Sequence, residues 1–410
     1  MTEQQNTPEL RFPEFNGEWQ LNKLENIASF SKGKSLSKKD LNHEGEPCIL
    51  YGELYTRYGS ILKSAYSKTS IDNSSLVYSK KNQVLIPSSG ETDIDIATAT
   101  CIDTNENIII GGDLNILTPT NTDGRFISLY INGKGKYNLA RYAQGKTVVH
   151  LYNSDIKKLK LMLPFDIKEQ NKIGDFFSKL DRQIELEEKK LELLEAQKKG
   201  YMQKIFSQEL RFKDEKGKEY PNWKSKKLSN VSTIIRGLTY KPSDIRQKGV
   251  RVLRSSNIVN DKFHTYEDDI FVDENVVKIP LANEKDILIT AANGSPKLVG
   301  KHALIKALKQ DSVAGGFMYL LKSKNTKFIQ IWMNTKEYKK IINKVQGGNG
   351  SIGNLSRKDL ENGIITMPYL EEQEKIGLFF SKIDVQIEVL VNKIRNLKKR
   401  KQGLLQKMFM

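Results

Sequence analysis

The sequence predicts an α/β chain in which two tandem mixed α/β domains are each closed by a long helix, and the two helices pair as a coiled coil. The first observation behind this prediction is an internal duplication. The segment that begins at Glu169, EQNKIGDFFSKLDRQIE, returns at Glu372 as EQEKIGLFFSKIDVQIE, and the match runs without a gap from Gly174 and Gly377 to Phe206 and Phe409. A repeat of this length indicates one structural unit used twice.

The second observation is an apolar stripe along both copies of this segment. Side chains recur at alternating spacings of four and three residues, and most of them are apolar. In the first copy they are Ile173, Phe177, Leu180, Ile184, Glu187, Leu191, Leu194, Lys198, Tyr201 and Ile205; in the second they are Ile376, Phe380, Ile383, Ile387, Leu390, Ile394, Leu397, Lys401, Leu404 and Met408. This pattern is typical of a coiled coil, although each helix could instead pack on its own globular half. A helix of this length spans roughly 55 Å, more than a small domain covers.

The third observation is that the duplication extends into the segments before the helices. LRF occurs at Leu10 and at Leu210, and Gly111-Gly112 corresponds to Gly315-Gly316. Between these anchors the two copies differ. Short β-rich runs broken by Gly, Ser, Asn and Asp predict strands in EPCILYGEL, NQVLIPSS and ENIIIGGDLNIL, and in GVRVLRSSNIV, KDILITAA and GGFMYLLKS of the second copy. Helices are expected at residues 124–131 and 326–344. The predicted domains are residues 10–168 and 209–370, and the predicted helices are residues 169–208 and 371–410.

The composition is that of an ordinary globular protein of 410 residues. There is no apolar run long enough to span a membrane, and the polar N-terminus lacks the apolar region of a signal peptide, so we expect a cytoplasmic protein. Residues 1–9 are expected to be disordered. Cys48 and Cys101 belong to no CxxC pair and no cluster with histidines, which predicts inert thiols and neither disulfide nor zinc site.

The formal net charge is +17, and its distribution is uneven. Residues 1–168 contain 20 Lys and Arg against 19 Asp and Glu, whereas residues 209–370 contain 29 against 17. A basic surface favours a polyanionic partner such as nucleic acid.

Motifs that carry catalytic chemistry are weak or absent in the sequence. Residues 348–353 spell GxGxxG but do not lie in a βαβ unit, and residues 294–301 resemble a P-loop with the wrong glycine spacing, followed by His302 where Ser or Thr is needed. No amino-methyltransferase, GxSxG or HExxH motif occurs, and the four histidines are scattered. The sequence therefore predicts no catalytic residue, no metal site and no cofactor in this chain.

The repeated EQxKIGxFFSKxDxQIE segment, the entry after Trp19 and Trp223, and the passages from Gln144 to Pro164 and from Gln346 to Pro368 closely resemble the specificity subunit of type I restriction-modification systems. This resemblance covers essentially the whole chain. It implies two target-recognition domains, each reading one half of a bipartite DNA site, and an antiparallel coiled coil with pseudo-two-fold symmetry between them.

The same resemblance implies the partners. These are double-stranded DNA, two modification subunits that bind S-adenosylmethionine and methylate adenine, and restriction subunits that use ATP and Mg²⁺ to cleave DNA. Two rival interpretations stay open at this point: a coiled-coil scaffold without a DNA role, and a self-contained DNA methyltransferase or nuclease. The sequence gives neither the DNA target nor the length of its spacer.

Candidate DNA contacts are polar or aromatic residues on loops beside the predicted strands. In the first domain we select Lys32, Lys34, Tyr51, Tyr55, Arg57, Tyr58, Ser88, Ser89 and Lys146. In the second domain we select Arg236, Tyr240, Lys241, Arg254, Ser256, Asn257, Asn293, Ser295, Lys297 and Asn349. Lysines would contact phosphates, while Arg57, Arg254 and Asn257 would reach base edges. Each of these residues could instead be a solvated loop residue or a core tyrosine.

Apolar residues outside the coiled-coil stripe predict a surface for the modification subunits. They are expected to be exposed and are Phe176, Leu186, Leu193, Phe206, Phe379, Val389 and Phe409, among which Phe176, Phe206, Phe379 and Phe409 are the predicted partner-binding residues. The charges of residues 398–401 are expected to lie on a solvated helix face.

Overall fold

The computed structural model describes residues 6–34, 36–72, 74–346 and 353–410. It describes the side chains of all these residues except 344–346. The chain forms two compact units, Met1–Lys189 with Val391–Met410, and Lys190–Leu390. Within the described ranges, no helix is both long and apolar enough to cross a membrane.

Within its described residues, the first unit contains thirteen strands and six short α-helices, and a long helix begins in it. The strands are β1 (Gln20–Lys23), β2 (Ala28–Lys32), β3 (Leu41–Asn42), β4 (Glu46–Ile49), β5 (Ile61–Leu62), β6 (Ser67–Thr69), β7 (Val84–Pro87), β8 (Ser89–Gly90), β9 (Thr100–Ile102), β10 (Ile109–Ile110), β11 (Leu114–Pro119), β12 (Val149–His150) and β13 (Lys160–Leu163). The helices are α1 (Leu24–Ile27), α2 (Tyr51–Thr56), α3 (Asp93–Ile96), α4 (Gly124–Asn132), α5 (Lys136–Ala140), α6 (Asn153–Ile156) and α7 (Ile167–Phe206).

A five-stranded sheet in the order β2-β11-β7-β9-β5 forms the centre of the first domain. Strand β11 is antiparallel to both of its neighbours, β2 and β7, and β7 is antiparallel to β9. A second sheet has the order β10-β4-β6-β3, and β1 pairs with β13 and β8 with β12. Helix α4 buries Phe126, Ile127 and Leu129. These side chains belong, together with residues of the central sheet, to the main hydrophobic cluster of this unit.

The second unit repeats this plan with different details. Its strands are β14 (Lys224–Lys227), β15 (Thr233–Arg236), β16 (Ile245–Arg246), β17 (Val250–Leu253), β18 (Ile258–Val259), β19 (Lys262–Phe263), β20 (Phe271–Val272), β21 (Ile287–Thr290), β22 (Ala292–Asn293), β23 (His302–Leu304), β24 (Ser312–Ala314), β25 (Met318–Lys322), β26 (Gly353–Asn354) and β27 (Ile364–Met367). Its helices are α8 (Thr326–Trp332), α9 (Lys336–Gln346), α10 (Arg357–Glu361) and α11 (Leu370–Lys407). The central sheet has the order β15-β25-β21-β23, beside a sheet in the order β16-β20-β17-β24.

The long helices α7 and α11 pair in an antiparallel coiled coil. In the first unit, Asp181 of α7 contacts Lys401 at 2.5 Å and Glu187 contacts Lys393 at 2.5 Å, so residue numbers rise on one helix as they fall on the other. The second unit contains the equivalent of the first pair, Lys198 with Asp384 at 2.6 Å. The predicted seam is buried or half-buried along both helices, which confirms the coiled coil.

The repeated LRF segment holds the ends of this coiled coil. The amide of Leu10 donates to the carbonyl of Lys407 at 2.9 Å, and the amide of Leu210 donates to the carbonyl of Lys204 at 3.1 Å. The next residue, Arg11, forms a two-pronged ion pair with the buried carboxylate of Glu169. Arg211 makes the same pair with Glu372 in the second unit. Because the buried carboxylates need these partners, the Arg of LRF has a structural role in both units.

Three sequence predictions need correction. The segment EPCILYGEL is not one strand: β4 ends at Ile49, and α2 begins because the Glu53 side chain accepts a hydrogen bond from the Leu50 amide at 3.0 Å. The helix expected at residues 326–344 is broken into α8 and α9, where the Thr335 hydroxyl donates to the Trp332 carbonyl. Residues 6–9 are ordered, since the Asn6 carbonyl accepts from the Trp19 amide at 2.8 Å. Residues 1–5 and 348–352 lie outside the described residues.

Candidate nucleic-acid interface

In the first unit, four of the predicted DNA contacts lie at one edge of the central sheet. Strand β2 ends at Lys32 and β7 ends at Pro87, and both run antiparallel to β11, which begins at Leu114. The loops that carry Lys32 and Lys34, and Ser88 and Ser89, therefore meet at this edge. Lys32, Lys34 and Lys146 are exposed there or on the neighbouring β12 loop.

A contiguous polar and aromatic strip crosses this edge, and two of its four residues, His150 and Tyr152, are not among the contacts predicted from sequence. The Ser89 hydroxyl lies 3.3 Å from Nδ1 of His150, whose ring stacks on Tyr152 at 6.2 Å between centroids. The ammonium of Lys32 lies over the Tyr152 ring at 5.8 Å. Because His150 and Tyr152 come together with Lys32 only through the fold, no local motif identifies them.

The tyrosine cluster after β4 is partly structural. The Tyr58 hydroxyl accepts a hydrogen bond from the Tyr66 amide at 2.8 Å, the two rings stack at 5.1 Å, and burial raises the pKa of Tyr58. Arg57 contacts Glu53 at 3.3 Å but is largely exposed. Tyr51 and Tyr55 are half-buried, and burial also raises the pKa of Tyr55. Arg57 is thus the member of the cluster most free to reach DNA.

The second unit presents the same edge. Strands β15 and β21 end there, at Arg236 and Thr290, where β25 begins at Met318. Asn293 follows β21 and donates a hydrogen bond to the Ser255 hydroxyl at 3.2 Å, which links this loop to the one after β17. Other predicted contacts on these loops are exposed or half-buried: Arg236, Tyr240, Lys241, Arg254, Ser256, Ser295 and Lys297.

Two predicted contacts are buried, and a third cannot be placed. Asn257 is 0% exposed; its amide group donates to the His264 carbonyl and to Asp269, and its side-chain oxygen accepts from the Arg254 amide. The prediction that Asn257 reaches a base edge is therefore wrong, because its polar atoms already hold the β17 loop together. Ser88 is also buried, beneath the polar strip. Asn349 lies outside the described residues.

A pair of glycines closes the loops at this edge in both units. A Cβ atom on Gly33 would lie 2.0 Å from the Gly111 carbonyl oxygen, and a Cβ atom on Gly237 would lie 1.9 Å from the Gly315 carbonyl oxygen. Only glycine fits at either position. The repeated Gly-Gly sequence therefore positions the same two loops in both domains.

Basic residues of α11 border a cleft in the first unit. The cleft has a volume of about 710 Å³ and lies between α2, α5 and the last turns of α11. Arg395, Lys398 and Lys399 line it together with the predicted contacts Tyr55 and Tyr58. Lys398 forms an ion pair with Glu188 at 2.6 Å, and part of the expected solvated face is thus engaged in the coiled coil.

The four phenylalanines predicted to bind a partner are packed inside the protein. Phe409 is 2% exposed and lies against Phe126 at 4.9 Å between ring centroids. Phe206 packs on Phe328 at 5.7 Å; the remaining two, Phe176 and Phe379, are half-buried against Phe12 and Phe212. The expected exposure of these rings is wrong because each fills a contact between a long helix and a globular domain.

Other apolar residues of the long helices are exposed, as predicted for Leu186, Leu193 and Val389. The structure adds Leu378 and Val385 to this set. These five residues are called the helix apolar set below.

Both cysteines are buried thiols. Burial raises the pKa of Cys48 to about 11 and holds the pKa of Cys101 well above its usual value. Such thiols are poor nucleophiles near neutral pH. Among the residues that the structure describes, no group of three His, Cys, Asp or Glu side chains is placed to hold a metal ion.

Comparison with known proteins identifies the family. The family model for the type I restriction modification DNA specificity domain matches residues 16–196 and 220–399. Among curated proteins, the type I restriction enzyme MjaVIII specificity subunit of Methanocaldococcus jannaschii is 23% identical over 97% of this chain and 92% of its own length. The EcoKI specificity subunit of Escherichia coli is 29% identical over 41% of this chain and 38% of its own length.

Solved structures agree on the fold. The S subunit of a type I restriction-modification system from M. genitalium superposes with a TM-score of 0.63 at 18% identity, covering 98% of this chain and 99% of that chain. A chain from a study of assembly of the type I restriction-modification system gives a TM-score of 0.52 at 14% identity, covering 94% and 96%.

Two repeated DNA specificity domains joined by paired helices define a DNA-recognition protein rather than a catalytic one. The chain belongs to the specificity subunits of type I restriction-modification systems.

Proposed function

We propose that this chain recognises a bipartite, asymmetric site in double-stranded DNA, with each globular domain reading one half. The observation that carries the proposal is that both units present equivalent sheet-edge loops, closed by the same glycine pairs, with different side chains. Two identical readers would demand a palindrome, whereas two different readers in one chain suit two unlike half-sites.

The side chains at these edges divide by chemistry. Lys32, Lys34, Lys146, Lys241 and Lys297 are exposed cations suited to phosphates, which position the protein without specifying a sequence. Arg57 and Arg254 would donate to guanine. Ser89, Ser256, Asn293 and Ser295 offer neutral hydrogen-bonding groups beside them.

The catalytic chemistry of the assembly would lie on partner subunits in the cytoplasm. Two modification subunits would supply S-adenosylmethionine and methylate adenine, and restriction subunits would supply ATP and Mg²⁺ for translocation and cleavage. The helix apolar set supports a docking surface on the coiled coil, because these Leu and Val side chains are at least half exposed and a partner that covers them would bury apolar surface. We further propose that the coiled coil sets the number of base pairs between the half-sites.

Single-molecule methylation mapping tests the proposal directly. The chain would be expressed with its modification subunits in a host free of methylation, and the genome sequenced for methylated adenine. We expect one asymmetric bipartite motif. A second chain in which residues 10–163 are replaced by the corresponding segment of another specificity subunit should change one half-site and leave the other intact. A palindromic motif, or a change in both halves, would contradict the assignment.

A gel shift separates this function from that of a scaffold without a DNA role. With modification subunits present, the complex should shift a duplex carrying the mapped motif at lower concentration than a scrambled duplex of the same length. If the complex shifts neither duplex more strongly than the modification subunits alone, at both 50 and 200 mM salt, the result would favour the scaffold.

A further inference from the structure

We propose that the residue at the tip of the Gly-Gly turn, Asp113 in the first domain and Phe317 in the second, reads a base in each half-site. The inference rests on the proposed function, since it assumes that the sheet edges face DNA. It adds two specificity-determining residues that lie outside any of the sequence-predicted contacts, and it assigns a base class to each.

Both tip residues occupy the same place in the fold. Asp113 follows Gly111-Gly112 and precedes β11, and Phe317 follows Gly315-Gly316 and precedes β25. Each turn therefore enters the central sheet between the two strands whose ends form the candidate interface.

The backbone of each turn is fixed by hydrogen bonds to the loop after the neighbouring strand. The Asp113 carbonyl accepts from the Ser88 amide at 2.9 Å. The Phe317 carbonyl accepts from the amides of Ala291 and Ala292 at 2.8 and 3.1 Å. A side chain on a backbone held in this way is presented to a ligand with little loss of conformational entropy on binding.

Phe317 has no part in the core. Its side chain is 74% exposed, although the adjacent Met318 is buried. Two polar residues lie on the neighbouring strands: Arg236, whose strand partner is Tyr319, and Asn293, which follows Ala292 in β22. A single exposed aromatic ring among polar and cationic side chains suits DNA better than an apolar protein surface, which would place further apolar residues around it.

The two side chains match different base edges in the major groove. An apolar ring contacts the C5-methyl group of thymine, a group that no other base presents there. A carboxylate accepts a hydrogen bond from the N4 amino group of cytosine. The exposed Asp113 is therefore assigned to cytosine in the first half-site, and Phe317 to thymine in the second.

Methylation by the complete complex of this chain with its modification subunits tests the assignment. The substrates are duplexes carrying the mapped motif and a set in which each base pair is changed singly. Phe317→Ala should lose discrimination at one thymine of the second half-site by about 5- to 150-fold, the range of one mismatched base pair, and leave the first half-site unchanged. Asp113→Ala is the reciprocal control and should relax one cytosine of the first half-site only.

Two further variants separate a lost contact from a lost fold. Phe317→Leu retains an apolar tip and should keep the thymine preference. Phe317→Asp copies the first domain and should move the preference at that position from thymine towards cytosine. Because the Phe317 ring is exposed, all three variants should melt within about 2 °C of the wild type.

Several outcomes overturn the inference. If Phe317→Ala leaves every position of the second half-site as selective as before, Phe317 has no part in base readout. Loss of co-purification with the modification subunits, with an unaltered motif in the remaining complex, would assign Phe317 to a protein interface. If the wild-type complex itself methylates no bipartite motif, the proposed function fails first, and this result is distinct from either of the others.

Discussion

Substitution of Phe409 by Ala distinguishes a structural role for the end of α11 from the partner-binding role that the sequence suggested. The Phe409 ring is 2% exposed and contacts four aromatic rings of the first unit. The rings and their centroid distances from it are Phe126 at 4.9 Å, Phe177 at 6.3 Å, Tyr130 at 6.4 Å and Trp19 at 6.5 Å. Truncation of such a buried ring costs about 3–5 kcal/mol, the lost burial plus the cavity left behind.

The cost should appear in the first unit alone. Hydrogen exchange followed by mass spectrometry resolves peptides from each unit, and where openings are limited by equilibrium the protection factor reports local stability. A loss of about 3–5 kcal/mol corresponds to a reduction of about 150- to 5,000-fold in the protection of peptides around Trp19 and Phe126. Peptides around Phe328 should keep their wild-type protection.

Phe206→Ala is the matched control, because Phe206 is the equivalent residue at the end of α7 and packs on Trp223 and Phe328 in the second unit. This substitution should lower the protection of peptides in the second unit and leave the first unit unchanged. The loss of protection should be smaller because Phe206 is only half-buried. Unchanged protection in Phe409→Ala, together with loss of modification subunits on co-purification, would refute the structural reasoning and restore the partner-binding interpretation.

Four further predictions concern the loops, the coiled coil, a buried histidine and the basic cleft. Gly33→Ala should abolish recognition of the first half-site on methylation mapping, since its Cβ would clash with a backbone oxygen, whereas Gly200→Ala on open helix surface should raise stability by about 1 kcal/mol on chemical unfolding. Seven residues inserted after Lys198 keep the apolar seam in phase and add about 10 Å of helix, so the mapped spacer should gain up to about three base pairs. A two-residue insertion puts the seam out of phase and should abolish activity. Burial lowers the pKa of His302 below its unfolded value. The contribution of neutral His302 to stability is therefore full above about pH 6.5 and is lost as the pH falls. Chemical denaturation between pH 7 and 5 should show a free energy of unfolding that changes by up to about 1.4 kcal/mol per pH unit, and His302→Gln should reduce this slope. Arg395→Gln should lower the slope of log affinity against log salt by about 0.9 if the α11 cleft contacts a phosphate, and an unchanged slope would remove the cleft from the interface.

The duplication made the architecture predictable from sequence. A gap-free repeat with a heptad stripe can be read from neighbouring residues without knowledge of the fold. The equivalent ion pairs of Asp181 with Lys401 and of Lys198 with Asp384 confirm the predicted pairing of the two helices. Helix breaks were less predictable, because the turn at Thr335 depends on one hydroxyl that bonds the Trp332 carbonyl instead of solvent.

The candidate interface was predicted in outline and missed in detail. Loops after strands are recognisable from Gly, Ser and Asn, so the sequence already places Lys32, Ser89 and Asn293 beside the strand ends where the structure has them. The tip residues Asp113 and Phe317 were not predicted, since nothing in the sequence distinguishes an exposed Phe beside Gly-Gly from a core Phe. Asn257 failed for the opposite reason: only the fold places Asp269 and the His264 carbonyl within reach of its amide.

The distribution of charge also looks different when residues are grouped by the fold and not by their order along the chain. Counted along the chain, the first domain is nearly neutral and the second strongly basic. However, residues 391–410 contain seven Lys and Arg and no Asp or Glu, and they belong to the first unit. Residues 371–390 of α11, which belong to the second unit, are instead acidic, with five Asp and Glu against two Lys.

Helix α11 thus gives the neutral first domain a basic helix end and the basic second domain an acidic one. The charge count along the chain predicts that salt-dependent DNA binding comes mainly from residues 209–370, whereas the fold predicts that the two units of the intact chain share it more evenly. A fragment of residues 1–168 would lack the cations that the fold brings to it, and its weak binding would say little about the first half-site. The salt dependence of DNA binding should therefore be measured on substitutions such as Arg395→Gln in the full chain, where both units keep their helix ends.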